Sequence, residues 1–324
     1  MHRRGDGTID TGVDVQSLPA ALQAEAGLTW VDFIDDPDEE CTRVLSGIFH
    51  FHPLAIDDAL RQSHVPKIDD WNSYLYLVLH AIAFNPAAEE VFSSIELDIF
   101  AVPNYVVTHR EQEMEALERV WNGCGRDERL MGRGAPRLLY HIVDEIVVGH
   151  MPAVDAIDEE MDRIEEGILS SSGPRSLPDV LRIKRALLHL RRVVAPQRET
   201  LNRLARDDFS VIPGAERVYF RDVYDHLVRL YDIVEGLRDL AAGTMETYLS
   251  VINNRMNEVM KTFTLITTLF MPISFITGFF GMNFFTESNP PPVLTGRIAF
   301  GVLCAALVLV PALMYVWLKR RRWV

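Results

Sequence analysis

Two uncharged runs near the C-terminus limit what this chain can become more than any other feature. No side chain from Thr262 to Thr286 carries a charge, nor does any from Ile298 to Leu318, and the sequence then closes with Lys319-Arg320-Arg321-Arg322-Trp323-Val324. Each run is long enough to cross a bilayer as one helix. The expectation is therefore a membrane protein with two C-terminal spans behind a large water-compatible region.

The first run is patterned. Counting by threes and fours from Asn257 gives Asn257, Met260, Thr264, Thr267, Met271, Ser274, Gly278 and Gly281. The bulky residues Leu265, Ile266, Leu269, Phe270, Ile273, Phe275 and Ile276 fall mostly elsewhere on the helix. Lipid favours the bulky set, whereas a close helix contact or a wet path suits the small and polar one. Both readings fit the spacing. Pro272 removes one backbone hydrogen bond, which is tolerated where neighbouring helices or water compensate.

Gly281-Met282-Asn283 stands at the membrane exit of this run. With NEVMK, MPISF and the basic tail around it, the stretch FMPISFITGFFGMNF resembles the CorA-type magnesium channel family, whose mark is a Gly-Met-Asn tripeptide ending the first of two C-terminal spans. HPLAIDDAL, VPKIDDWNSYLYLVL and ELDIFAVPNYVVTHR resemble the N-terminal domain of the same family, so the likeness covers most of the chain.

Charge and motifs narrow the function classes. The formal net charge of −14 makes nucleic acid an unsuitable partner and cations suitable ones. Cys41, Cys124 and Cys304 are scattered and show no metal spacing. The N-terminus lacks the apolar segment of a signal peptide. No P-loop, HExxH, nucleophile elbow or dinucleotide fingerprint is present, so an enzyme is not expected. Arg255 and Lys261 precede the first span and four basic residues follow the second, while the connecting loop carries only Glu287 and Arg297. Positive-inside bias predicts cytoplasmic termini, an external loop and residence in the cell (inner) membrane.

The fold class expected is an α+β cytosolic domain followed by a long stalk helix and two transmembrane helices. The α+β domain spans 1–135, with strands at Leu28–Phe33, Tyr74–Phe84, Ser93–Val102 and Tyr105–Thr108, and a short helix started by Pro53. A helix hairpin follows at 136–212, its arms Pro136–Leu169 and Leu177–Asp207 parted by Ser170-Ser171-Ser172-Gly173-Pro174. The first arm is acidic, and such runs are mostly solvated faces; the resemblance adds proximity to the basic tail. The stalk and first span occupy 213–283, the external loop 284–297, the second span 298–318 and the tail 319–324. His50 and His52 form an H-x-H pair without a third ligand nearby, and His52 opens a helix, so the pair reads as structural.

From Glu216 to Phe280 the helical pattern is unbroken, about 100 Å at roughly 1.5 Å per residue. One stripe is an apolar packing seam: Val223, Leu227, Leu230, Val234, Leu237, Ala241, Thr244, Tyr248 and Val251. A second repeats every seven residues as Asp225, Asp232, Asp239, Glu246 and Asn253, and the same step leads to Met260 and Thr267. Several chains with this face inward would line up carboxylate rings above an uncharged bore, concentrating cations without holding them too tightly. Two spans cannot enclose a path, so a pore must be homo-oligomeric; the resemblance implies a pentamer.

Mg²⁺ releases its water shell reluctantly, and a ring of Asn283 amide oxygens would accept hydrogen bonds from that shell. Gly281 would permit the turn ending the helix. By resemblance, Met260 and Phe263 take the positions of the family's narrow hydrophobic gate, although the helical count picks Thr264 rather than Phe263. The resemblance also implies gating by cytosolic Mg²⁺ held between subunits by Asp222, whose usual carboxylate partner falls at Asn85; Glu89 and Glu90 are substitutes. The acidic pair expected after Asp144 is replaced around Val148-Gly149. Three functions remain: a divalent cation channel for Mg²⁺, with Co²⁺ or Ni²⁺ as further cargo; a Zn²⁺ transporter of the same superfamily; and a non-conducting, membrane-tethered metal sensor. No His or Cys lies on the stripe, which weighs towards Mg²⁺.

Overall fold

The computed structural model describes residues 1–23, 27–61, 65–84, 92–169, 176–282 and 297–321. The chain forms two compact units, Met1–Met245 and Glu246–Val324. The boundary lies within one long helix.

A seven-stranded sheet organises the first unit. Its strands are β1 (His2–Arg3), β2 (Ile9–Asp10), β3 (Leu28–Ile34), β4 (Lys67–Asp70), β5 (Leu75–Phe84), β6 (Phe92–Val102) and β7 (Tyr105–Arg110), in the order β2-β1-β3-β7-β6-β5-β4. Only β3 with β7 is parallel, with Thr29 opposite Tyr105 and Ile34 opposite Arg110. Helices cover both faces, which is why consecutive residues of β5, Leu75 to Leu79, are all buried instead of alternating.

On one face, α2 (Asp38–Gly47) and α3 (Pro53–Leu60) pack Cys41, Leu45 and Ile56 against Tyr76, Val78, Phe100 and Val107. Phe51 stacks on Phe100 at 4.3 Å between ring centroids. His52 is the N-cap of α3, its Nδ1 accepting from the Leu54 amide at 3.2 Å. His50 Nδ1 instead faces the Ser46 carbonyl. Both histidines thus have structural partners, as their sequence context implies.

The opposite face carries α6 (Ala135–Val148) and α8 (Ser176–Arg206). Gly134, at φ 88°, turns the chain into α6 just ahead of Pro136. The single helical arm expected from Pro136 to Leu169 is corrected here: it is two helices, α6 and α7 (Met151–Leu169), broken at Gly149-His150. The cause is Pro152, which has no N–H to give the Val148 carbonyl, so bonding restarts from the His150 carbonyl to the Val154 amide. Sequence reading also passed over α1 (Leu18–Leu22), α2, α4 (Glu115–Arg126), α5 (Glu128–Met131) and strands β1, β2 and β4.

Two groups of buried polar side chains in this unit are matched to one another. The His80 amide donates to Gln197 Oε1 at 3.0 Å, closing the edge of β5 beyond the end of β4. That bond aims Gln197 Nε2 at His150 Nε2, 3.3 Å away, so the ring must be a neutral acceptor. Burial, with His80 adding, pushes the His150 imidazole down to about 4. Tyr76 donates to Asp98 Oδ1 at 2.6 Å, and burial pushes the Asp98 carboxyl up to about 6 against the pull of His109 and Tyr76.

The second unit contains the end of α9 (Arg217–Phe280) and all of α10 (Arg297–Arg320), the two helices long and apolar enough to cross a membrane.

Candidate ion path along the long helix

The seam of α9 is buried where the first unit surrounds it. Val223, Leu227, Leu230, Val234, Leu237, Ala241 and Thr244 are all shielded, and the Thr244 hydroxyl donates to Glu165 Oε1 of α7 at 2.6 Å. Tyr248 and Val251, the next seam positions, are only half-buried. Packing inside one chain therefore accounts for the seam as far as Thr244.

Asp225, Asp232, Asp239, Glu246 and Asn253 are exposed, as a face reserved for solvent or other chains requires. Asp239 is not free, since Arg238 Nη2 lies 3.1 Å from its Oδ1. On a straight helix a seven-residue step drifts about 20°, so from Asp225 to Glu246 the stripe turns about 60° and remains one face.

Within the membrane segment, the half-covered residues are Leu265, Thr268, Leu269, Pro272, Ile273 and Ile276. Asn257, Met260, Thr264, Thr267, Met271, Ser274 and Gly278 are all exposed. At 3.6 residues per turn, the two sets are centred roughly 140° apart. The small-polar stripe thus lies within the broad side that the chain leaves bare, together with Phe263, Ile266, Phe270 and Phe275. Met260 and Phe263 are both exposed, at 60% and 70%, and no covering distinguishes Phe263 from Thr264.

The two threonine hydroxyls of the stripe have a fixed polarity. Thr264 donates to the Met260 carbonyl at 2.8 Å and Thr267 to the Phe263 carbonyl at 2.9 Å. With each proton engaged one turn back, the oxygen lone pairs remain outward as acceptors. Outward acceptors suit the protons of a hydrated cation. Gly281 ends the helix by a close approach: its amide bonds the Thr277 carbonyl at 2.9 Å, and an added Cβ would meet that oxygen at 2.9 Å. The left-handed conformation usual for a terminal glycine is not used. Met282 is exposed, and Asn283 lies outside the described residues.

Of the regulatory candidates, Asp222 is exposed, while Asn85, Glu89 and Glu90 lie outside the described residues. Sequence reasoning missed the neighbour of Asp222 in its own chain. Asp144 on α6 is half-buried, and its carboxyl is pushed up by burial, held back by His226 and raised further by Glu145 and Asp222. The available signal was the spacing of Tyr140 and Asp144 on one side of α6, facing Tyr219 and Asp222 on α9; Tyr140 and Tyr219 rings are 5.3 Å apart. Among the described residues, no three His, Cys, Asp or Glu are gathered to hold a metal.

An α+β domain followed by one very long helix whose end is the first of two C-terminal apolar helices defines a class of two-span membrane transport proteins. The family description "CorA-like Mg2+ transporter protein" matches residues 25–320. The chain belongs to that family. The "Cobalt/magnesium transport protein CorA" of Thermotoga maritima is 31% identical over 91% of this chain and 83% of its own length. The "Zinc transport protein ZntB" of Yersinia pseudotuberculosis is 24% identical over 84% of this chain and 81% of its own. The CorA magnesium transporter structure from Methanocaldococcus jannaschii shares the fold, with TM-score 0.80 at 23% identity over 91% of both chains.

Proposed function

We propose that the chain forms a homo-oligomeric channel carrying Mg²⁺, and with it Co²⁺ or Ni²⁺, across the cell membrane into the cytoplasm. One observation carries this reading: the small-polar stripe of α9 lies within the bare side of the membrane segment, away from its half-covered side. A stripe needed for packing within the chain would be covered. Around an axis, five copies by family likeness, its outward oxygens would accept hydrogen bonds from the water shell of a cation. Asn283 at the helix exit would select by the same chemistry, and Met260 and Phe263 would narrow the bore. The basic flanks of the two spans support cytoplasmic termini.

Cytosolic Mg²⁺ would regulate closure through Asp222 and the segment holding Asn85, Glu89 and Glu90. A neutral amide at Asn85 weakens such a site, because metal shifts a balance only by its differential affinity for the two states. The deciding experiment is ion uptake by sealed vesicles containing the purified protein. Mg²⁺ uptake exceeding that of Zn²⁺ is expected. Zn²⁺ preference would move the chain to the zinc-transporting branch, and no flux of either ion would favour the tethered sensor.

A further inference from the structure

We propose that the end of α10 is a docking site for an anionic phospholipid, with the headgroup phosphate held by Arg320 and Arg321 beside Trp317. This rests on reading α10 as a span. From Ile298 to Leu318 the helix rises about 31 Å, close to the roughly 30 Å hydrocarbon core, so residues 319–321 come to the level of the phosphates.

The surface beneath them has acyl-chain character. Leu309, Leu313 and Val316 are exposed, one turn apart, and lead directly to Arg320. Val310, Met314 and Leu318 form the shielded side. Arg320 therefore crowns the bare apolar strip, about 130° away from the covered one. Trp317 is exposed on the flank of the strip, with the Arg321 guanidinium over its ring at 5.6 Å. An indole at this depth anchors at the membrane interface, and its ring orients the cation.

These cations are also free to act. Arg110, Arg119, Arg182, Arg191 and Arg238 each meet a carboxylate, but no ion pair among the described residues includes Lys319, Arg320 or Arg321. From residue 246 onward there are seven Lys and Arg against three Glu, in a chain of net charge −14. Positive charge is concentrated where anionic headgroups lie, and each such cation contributes about 1 kcal/mol of attraction, or about fivefold in binding.

The test uses the full chain in phosphatidylcholine bilayers with and without phosphatidylglycerol, reading the ratio of the two lipids retained on the purified oligomer. Incorporation into phosphatidylcholine alone checks the membrane reading separately. Arg320→Gln with Arg321→Gln is expected to lower the phosphatidylglycerol preference by about 25-fold, following about fivefold per cation. Arg320→Lys with Arg321→Lys should keep most of it, and Arg297→Gln, at the other end of the span, should leave it unchanged. An unaltered preference in the double Gln variant would overturn the site. So would an equal fall with Arg297→Gln, which would mean diffuse attraction, or displacement of the lipid by soluble glycerol phosphate. Destabilisation of the double Gln variant in pure phosphatidylcholine would show instead that protein carboxylates occupy these arginines.

Discussion

Between Arg217 and Thr244, α9 buries an apolar residue at every third or fourth position; between Glu246 and Phe280 it buries none. The first half is held by its own chain, through contacts such as Thr244 with Glu165. The second half exposes Met260, Phe263, Phe270, Met271 and Phe275. Apolar surface on this scale calls for a cover from outside the chain, and the function proposed above supplies lipid and other subunits for it. The difference teaches that a helical stripe acquires meaning only from what lies opposite it. The seam can be read from one chain, whereas nothing within the chain lies opposite the polar stripe among the described residues.

The largest effect expected is at the exit of the bare half. Asn283→Ala should leave the protein folded and oligomeric but reduce Mg²⁺ uptake by at least about tenfold, the equivalent of roughly one lost acceptor interaction. Unchanged uptake and ion preference would remove the selectivity assignment.

Next comes a direct contrast between the halves. Leu227→Ala deletes a fully buried side chain and should cost about 2–5 kcal/mol of stability. Met271→Ala, 65% exposed, should change the melting of the detergent-solubilised protein far less. Equal losses would mean that both halves are packed alike.

Proton linkage probes the first unit alone. The folded His150 value lies below its ordinary 6.5, so stability is complete above 6.5 and is lost as pH falls towards about 4. Asp98 works oppositely: its folded value of about 6 exceeds 3.8, so stability is lost as pH rises between them. His150→Leu should therefore flatten the acid loss of stability in that window, and Asp98→Asn should steepen it. Parallel stability profiles for the two variants would refute the assignment.

The smallest effect is expected on the acidic stripe. Glu246→Gln should reduce uptake more at low than at high ionic strength, since salt screens an exposed ring. Asp239→Asn should matter less, because Arg238 already offsets that charge. Losses that ignore salt would point to packing.

Much of this was legible because burial on both sides leaves an unmistakable run. β5, β6 and β7 announce themselves in that way, and the seam of α9 does so by its three-and-four spacing on one face. β4 did not, since Lys67-Ile68-Asp69-Asp70 is a short polar edge strand without a recognisable apolar pattern. The break at Gly149-His150 was hidden because apolar spacing continues across it, and Pro152 can equally begin a helix. The neighbourhood of Asp144 and Asp222 joins residues distant in sequence, which no local pattern reports. The heptad step gave the acidic face, but its drift of about 20° per repeat means that continuity from Asp225 to Thr267 depends on how neighbouring helices coil.

The parallel pairing of β3 with β7 also sets a timetable. Strands β5, β6 and β7 are joined by short connections and can zip as each emerges, whereas Trp30 must wait for Thr108, whose hydroxyl accepts its indole N–H at 3.0 Å. Closing so long a loop is slow compared with hairpin formation. During synthesis, therefore, β3 remains without its parallel partner until β7 has left the ribosome, and the sheet is completed well before Leu318 is made. The membrane segments are thus delivered by a chain whose soluble domain can already be built.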